Sequence, residues 1–217
     1  ASLIAADFWS LSKEFKKLDN TQVKWVHYDI MDGHFVPNIS VGSCELSSLI
    51  KKTNIEIDIH FMVTNPDIIV PNFIKMFKNR KLKNITVHAE TCTDIKKLSK
   101  ITRKNNIKFG LAISPETSIK RIIKNIEYID LALIMTVKPG FAGQDIITKC
   151  INKVKRLSKF FKENNIDLPI QVDGGIKLKN ISLLSDAGAN IFVSGTGIFK
   201  TNNYKVTVDK MMKIINK

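Results

Sequence analysis

Eight times along the 217 residues, a short run rich in Val, Ile, Leu and aromatic side chains gives way to a longer stretch of 3.6-residue periodicity. Gly, Pro, Asn or Asp marks each junction, as expected of turns. The strand-like runs fall at 2–6, 25–31, 56–63, 84–90, 108–114, 131–137, 169–174 and 191–195, and helical stretches such as 93–105 and 146–164 follow them. No linker, low-complexity tract or second composition interrupts the series. Eight successive strand–helix units predict an α/β fold, a single closed (β/α)8 barrel of the TIM type spanning residues 1–217, because a doubly wound sheet rarely needs so many strands in so short a chain. A hydrophobic content of 44% is enough to fill such a core. The first strand is expected to be curtailed, since its run begins at residue 2.

The remaining totals narrow the class of partner. Lys and Arg outnumber Asp and Glu by 34 to 20, leaving a net charge of +14, which raises the question of an anionic polymer. The distribution argues against one. Lysines recur along nearly every helical stretch (Lys13, Lys16, Lys17; Lys96, Lys97, Lys100; Lys149, Lys153, Lys155), as solvated outer faces would. Only Arg80, Arg103, Arg121 and Arg156 could offer the planar fork that reads guanine or grips phosphate. No nucleic-acid partner is expected. No apolar run approaches the ~20 residues of a bilayer span, and the opening residues lack the layout of a signal peptide, so no membrane partner is expected either. Cys44, Cys92 and Cys150 are odd in number and form no Cys-x-x-Cys, which argues against a disulfide framework or zinc ribbon and fits a reducing, cytoplasmic compartment.

A parallel-barrel strand is covered on both faces and should be almost continuously apolar. Two of these runs break the rule in the same way. In Trp25-Val26-His27-Tyr28-Asp29-Ile30-Met31 the period of two puts His27, Asp29 and Met31 on one face; in Ile57-Asp58-Ile59-His60-Phe61-Met62 it does the same for Asp58, His60 and Met62. Asp173, at the end of the seventh run, faces the same mouth. If these faces point inward, the polar groups need partners, because each unpaired one costs several kcal/mol. His27, Asp29, His60 and Asp173 form a mixed nitrogen and oxygen set suited to a divalent ion such as Zn, Fe(II), Mn or Co. A neutral hydrogen-bonded His/Asp cluster satisfies the same pattern, and spacing does not separate the two. The fourth run alternates Thr86, His88 and Glu90. Its His-Ala-Glu triplet lacks the Pro-Cys-x-x-Cys of zinc deaminases, so His88 is expected to support the site or satisfy its own bonds in the core. His34 is expected to be exposed or to structure its loop.

Glycine-rich loops end the last three runs: Pro139-Gly140-Phe141-Ala142-Gly143, Gly174-Gly175 and Gly195-Thr196-Gly197. Gly lets backbone N–H groups approach an anion, and the loops after the seventh and eighth strands are where many barrels hold phosphate. P-loop, Rossmann and nucleophile-elbow motifs are absent from the sequence. A small sugar phosphate is the natural ligand.

Taken together, these stretches resemble the ribulose-phosphate 3-epimerase family over essentially the whole chain. Residues 2–8 resemble the opening P-S-I-L-A-A-D-F, and residues 27–38 resemble its most specific stretch, H-x-D-[VI]-M-D-G-x-F-V-P-N. Asp58-Ile59-His60-Phe61-Met62-Val63, residues 135–144 and Val172-Asp173-Gly174-Gly175-Ile176 follow in family order. The resemblance implies one divalent ion held by His27, Asp29, His60 and Asp173. It also implies an acid/base pair on opposite faces of the substrate: Asp29 removes the C3 proton of D-ribulose 5-phosphate, and Asp173 delivers one to the other side of a cis-enediolate. Met31, Met62 and Met135 would line the site, Ser2 would bond the substrate, and backbone groups of Gly140, Phe141, Ala142, Gly143, Gly174, Gly175, Gly195 and Thr196 would hold phosphate. A homodimer is implied as well. The sequence departs from the family at Ala1, Ala142, Ser114 and Thr196, and Ala142 would be strained if its position required a positive φ. An epimerase of a six-carbon sugar phosphate such as D-allulose 6-phosphate would share fold, ion and acid/base pair.

Overall fold

The computed structural model describes residues 1–51, 53–77 and 82–216. Among them, seven strands form one parallel sheet in sequence order: β1 (Trp25–Met31), β2 (Glu56–Met62), β3 (Leu82–His88), β4 (Lys108–Ile113), β5 (Leu131–Met135), β6 (Ile170–Asp173) and β7 (Ile191–Val193). These are the second to eighth runs of the sequence. β1 coincides with its expected bounds, while the others end one to two residues earlier at the mouth, and β3 also starts two residues sooner.

The first run is not a strand. Ser2 makes a single parallel bridge to His27, and Leu3–Ala5 then coil into a 3-10 turn closed by Ala6 N–H donating to Leu3 O at 2.9 Å. A short apolar run such as Leu3-Ile4-Ala5-Ala6 has no periodicity that tells strand from turn. Residues 1 and 2 nevertheless fill the gap between the edge strands: Ser2 N–H donates to Ser194 O at 3.0 Å beyond β7, and His27 N–H on β1 donates to Ala1 O at 2.8 Å. The barrel is thus nearly closed, with seven full strands and one bridging residue.

Helices wrap the outside: α1 (Leu11–Asp19), α2 (Ser43–Ile50), α3 (Pro66–Met76), α4 (Ile95–Lys104), α5 (Lys120–Ile123), α6 (Lys149–Glu163), α7 (Ile181–Asp186), α8 (Thr196–Phe199) and α9 (Tyr204–Ile215). α4 shows why they form. Asp94 caps its first turn by accepting from Lys97 N–H at 2.9 Å, Leu98, Ser99 and Thr102 are buried, and Lys96, Lys97 and Lys100 face solvent. Outward-pointing strand residues such as Val26, Tyr28, Ile59, Phe61, Val87, Phe109 and Leu111 join the helices in the main core, each buried side chain contributing roughly 1.5–3 kcal/mol. The expected solvated lysines are exposed with one exception: Lys153 is half-buried and donates to Ser114 O at 2.9 Å and to Thr117 O. Arg103 is committed to a two-pronged bond with Asp130, and Arg80 lies outside the described residues. No helix among the described residues is long and apolar enough to cross a membrane.

Inside the barrel the inward faces split in two. β4 and β5 contribute Ala112, Leu131, Leu133 and Met135, an apolar cluster with Val137. β1, β2 and β3 contribute His27 and Asp29, Asp58 and His60, and Asn84, Thr86 and His88, all of them buried. The strand register pairs His27 with Asp58, Asp29 with His60, and His60 with Thr86, so the polar groups lie in layers across neighbouring strands.

Candidate active site

The polar layers end at the mouth in a compact cluster. One ligand atom from each of His27, Asp29, His60 and Asp173 lies within 4.8 Å of the other three. His27 Nε2 is 3.3 Å from Asp29 Oδ1 and 3.7 Å from Asp173 Oδ2; His60 Nδ1 is 3.2 Å and 3.8 Å from the same two oxygens. The parity of β1 and β2 and the late acid of β6 therefore converge as the sequence predicts.

Each histidine is gripped from behind. His27 Nδ1 donates to Asp58 Oδ2 at 2.7 Å, and Asp58 also accepts from Asn84 Nδ2 at 2.8 Å and Gln171 Nε2 at 2.6 Å. Asp58 is the hub of the layer below the site, a role that sequence reasoning missed although its place beside His27 in the register pointed to it. His60 Nε2 lies 2.9 Å from His88 Nε2, so His88 supports the site from β3. His88 Nδ1 lies 3.2 Å from Glu90 Oε2. His34 is exposed and structures its loop, its ring Nδ1 donating to Asp32 O at 2.9 Å.

The electrostatics follow from crowding three carboxylates in a buried space. Burial alone would lower the His27 pKa, but Asp29 and Asp58 outweigh it and hold the imidazole well above its usual range. Burial would raise Asp29; His27 and His60 overcome it and hold Asp29 far below the ordinary carboxylate range. Asp173 goes the other way, raised to about 7 by burial against the attraction of His27, with the nearby Asp29 and Asp58 adding to the rise. Glu90 is held at about 2: burial would raise it, and bonds from His88, Thr117 and Ser114 more than offset that.

These residues fit a divalent cation. His27 Nε2 is buried and makes no hydrogen bond, yet it points between two carboxylate oxygens. Two imidazole nitrogens facing two carboxylates leave a negative nitrogen and oxygen pocket that a Zn-, Fe(II)-, Mn- or Co-sized ion matches by donor type.

A cleft opens above the cluster. Met31, Met62 and Met135 line it beside Asp29 and Asp173, as the family resemblance implies, whereas the residue pattern by itself favours core filler. Ser2 lines it too, and its Oγ donates to Asp29 Oδ2 at 3.0 Å. Gly140, Phe141, Ala142 and Gly143 border it together with Gly174, Gly175, Gly195 and Thr196. His27 and His60 sit beneath, buried at 2% and 0% exposure. The sequence did not single out Ile4, Val137, Lys138, Gln144, Ile176 or Val193, which also border the cleft. Gln144 pins the wall by donating to Lys138 O at 2.7 Å and Phe141 O at 2.9 Å.

Glycine is required at the Asp-Gly-Gly turn. Gly174 has φ +113°, and a Cβ there would lie 2.3 Å from Val137 Cγ2; Gly175 has φ +69°, and a Cβ would lie 2.8 Å from both Gln144 O and Ile146 N. Ala142 is not among the positive-φ residues, so its Cβ carries no such strain.

The model of the ribulose-phosphate 3-epimerase family matches residues 1–199. The chain belongs to that family. A ribulose-phosphate 3-epimerase from Buchnera aphidicola (subsp. Acyrthosiphon pisum, strain APS) is 38% identical over 214 residues, covering 98% of this chain and 92% of the relative. Those of Bacillus subtilis (strain 168) and Escherichia coli (strain K12) are 32% and 34% identical, each over 97% of this chain and over 95% and 92% of their own lengths. Among solved structures, a mutant tryptophan synthase alpha-subunit from Pyrococcus furiosus superposes with a TM-score of 0.68 at 15% identity, covering all of this chain and 96% of that one. A 3-hexulose-6-phosphate synthase does so with a TM-score of 0.66 at 14% identity, over 97% of each chain. At such identities these two speak for the barrel alone. Ribulose-phosphate 3-epimerases are isomerases, and this member of the family is an enzyme.

Proposed function

We propose that residues 1–217 act as one catalytic domain that interconverts D-ribulose 5-phosphate and D-xylulose 5-phosphate by inversion at C3, as a cytoplasmic homodimer using one divalent ion. The observation that carries the reading is the cluster of His27, Asp29, His60 and Asp173 at the floor of a glycine-walled cleft, in a chain of the ribulose-phosphate 3-epimerase family.

The proton α to a ketone is weakly acidic. A divalent ion held by the four side chains would supply a Lewis acid for the C2 carbonyl, favouring negative charge on its oxygen. Asp29 is the base that takes the C3 proton of D-ribulose 5-phosphate, its carboxylate kept ionised by His27 and His60 and oriented by the Ser2 hydroxyl. Asp173, which burial holds above the ordinary carboxylate range before an ion binds, is the acid that delivers a proton to the other face of C3. Environments that push two neighbouring carboxyl groups apart in this way are how one site carries both an acid and a base at neutral pH. In the reverse direction the roles exchange. Met31, Met62 and Met135 border the cleft with polarizable, apolar side chains that exclude water from the planar intermediate. The backbone N–H groups of the 140–143, 174–175 and 195–196 loops, which border the cleft, cradle the phosphate.

The test is turnover of D-ribulose 5-phosphate before and after metal removal, with Zn, Fe(II), Mn and Co restored singly. Turnover that is lost on chelation and regained with at least one ion supports the reading. Turnover of D-allulose 6-phosphate in preference to the pentose would reassign the substrate, and turnover unchanged by chelation would remove the ion from the mechanism.

A further inference from the structure

Behind His60 a chain of side chains runs outward, away from the cleft. His60 Nε2 meets His88 Nε2 at 2.9 Å, His88 Nδ1 meets Glu90 Oε2 at 3.2 Å, and Glu90 Oε1 accepts from Ser114 N–H at 2.8 Å and from the Thr117 hydroxyl. Lys153, from α6, donates to Ser114 O and Thr117 O and so fixes the loop that holds Glu90. The Phe35 ring packs 4.6 Å from the ring of His88, which is fully buried.

The direction of every bond in this chain is set at its far end. A backbone N–H can only donate, so Glu90 Oε1 accepts, and Oε2 of the same carboxylate accepts from His88 Nδ1. A neutral imidazole with its proton at Nδ1 has a lone pair at Nε2. The short contact between the two Nε2 atoms needs one proton, and that proton then belongs to His60. His60 is left with the Nδ1 lone pair facing Asp29 and Asp173, two acceptors with space for a cation between them.

We infer that His88 and Glu90 are positioning residues that fix His60 as the tautomer able to bind the divalent ion through Nδ1, as Asp58 does directly for His27. This rests on the metal reading above. It makes a specific demand on Glu90→Gln. The glutamine oxygen must stay on the Ser114 N–H, which turns its amide nitrogen toward His88 Nδ1. The whole relay then reverses, and His60 points an N–H at the ion. The two bonds made by His88 are kept while their polarity is inverted, and the bond from Ser114 N–H is unchanged.

The experiment combines zinc affinity, measured by chelator competition, with nitrogen-15 spectra of the histidine rings in the intact protein. The expected result is a 10- to 100-fold loss of zinc affinity in Glu90→Gln, in the range typical of residues that orient metal ligands. Its zinc-free melting temperature should stay near that of wild type, and Glu90→Asp, which keeps a carboxylate, should recover part of the affinity. In wild type, His88 should carry its proton at Nδ1 and none at Nε2, with or without zinc. A His88 protonated at Nε2, or a Glu90→Gln protein that folds and binds zinc within twofold of wild type, would overturn the inference. Should Glu90→Gln not fold, the wild-type spectrum decides alone. Zinc that binds equally well to His27→Asn protein would instead overturn the metal reading, and the wild-type spectrum would still judge the relay.

Discussion

The inside of this barrel has a polar half and an apolar half of nearly equal burial. On β1 to β3 the inward residues are His27, Asp29, Asp58, His60, Asn84, Thr86 and His88; on β4 and β5 they are Ala112, Leu131, Leu133 and Met135. The apolar half needs only shape, since dispersion and water exclusion reward any close fit. The polar half needs partners for its donors and acceptors, and it finds most of them in ordered layers: Asp58 takes three bonds below, Asp29 and Asp173 face the two imidazoles above, and Glu90 anchors the side. Among the described residues three buried side-chain atoms are left over, His27 Nε2, Asn84 Oδ1 and Gln171 Oε1, and only the first belongs to the cluster beneath the cleft. One half holds the barrel open at the correct width, and the other uses that width for chemistry.

Substitutions in the two halves should therefore fail in different ways. Asp29→Asn removes the base, and epimerisation of D-ribulose 5-phosphate should fall by about 10³-fold or more with the melting temperature little changed, as read in a coupled assay and by thermal unfolding. Leu133→Ala does the reverse. It should cost about 2–5 kcal/mol in denaturant unfolding through the cavity it leaves, with zinc affinity within about twofold of wild type. Asp58→Asn lies between them: it weakens the orienting bond to His27, and chelator competition should show zinc binding reduced by about 10- to 100-fold. The smallest effect is in pH. Glu90 is depressed to about 2 in the folded protein from an ordinary value of 4.5, so the stability it contributes is present above the unfolded value and is lost as pH falls through that interval. Unfolding midpoints followed from neutral to acid pH should drop more steeply for wild type than for Glu90→Gln. Equal slopes would place that part of the acid sensitivity elsewhere.

The polar half was the more legible of the two. Polar residues alternating inside strands that ought to be apolar single out His27, Asp29, His60 and Asp173, because the period of two leaves no freedom about which face each occupies. Parity ends at the Cβ. It does not say which ring nitrogen turns inward, so the hub role of Asp58 and the bond from His60 to His88 emerge only from side-chain torsions and neighbouring strands. In place of the expected first strand there is a 3-10 turn, since Leu3-Ile4-Ala5-Ala6 is apolar without period; one bridge from Ser2 does the closing instead. Strand ends at the mouth were overrun for a related reason. Gly174 and Gly175 leave the sheet with positive φ, and Gly195 lies beyond the end of β7, a change of direction that hydrophobic patterning does not register. Lys153 looked like one more solvated helix lysine, yet it holds the loop behind Glu90.

The central claim is that two carboxyl groups, Asp29 and Asp173, work on opposite faces of one carbon. It is tested most directly by incubating wild-type and Asp173→Asn protein with D-ribulose 5-phosphate in deuterated water and following C3 by NMR. Wild type should yield D-xylulose 5-phosphate carrying deuterium at C3, whereas Asp173→Asn should form no xylulose epimer while Asp29 still exchanges the C3 proton of the starting sugar. Xylulose 5-phosphate formed by Asp173→Asn at the wild-type rate would contradict the account, because among the described residues no other carboxylate lines the cleft to serve the second face.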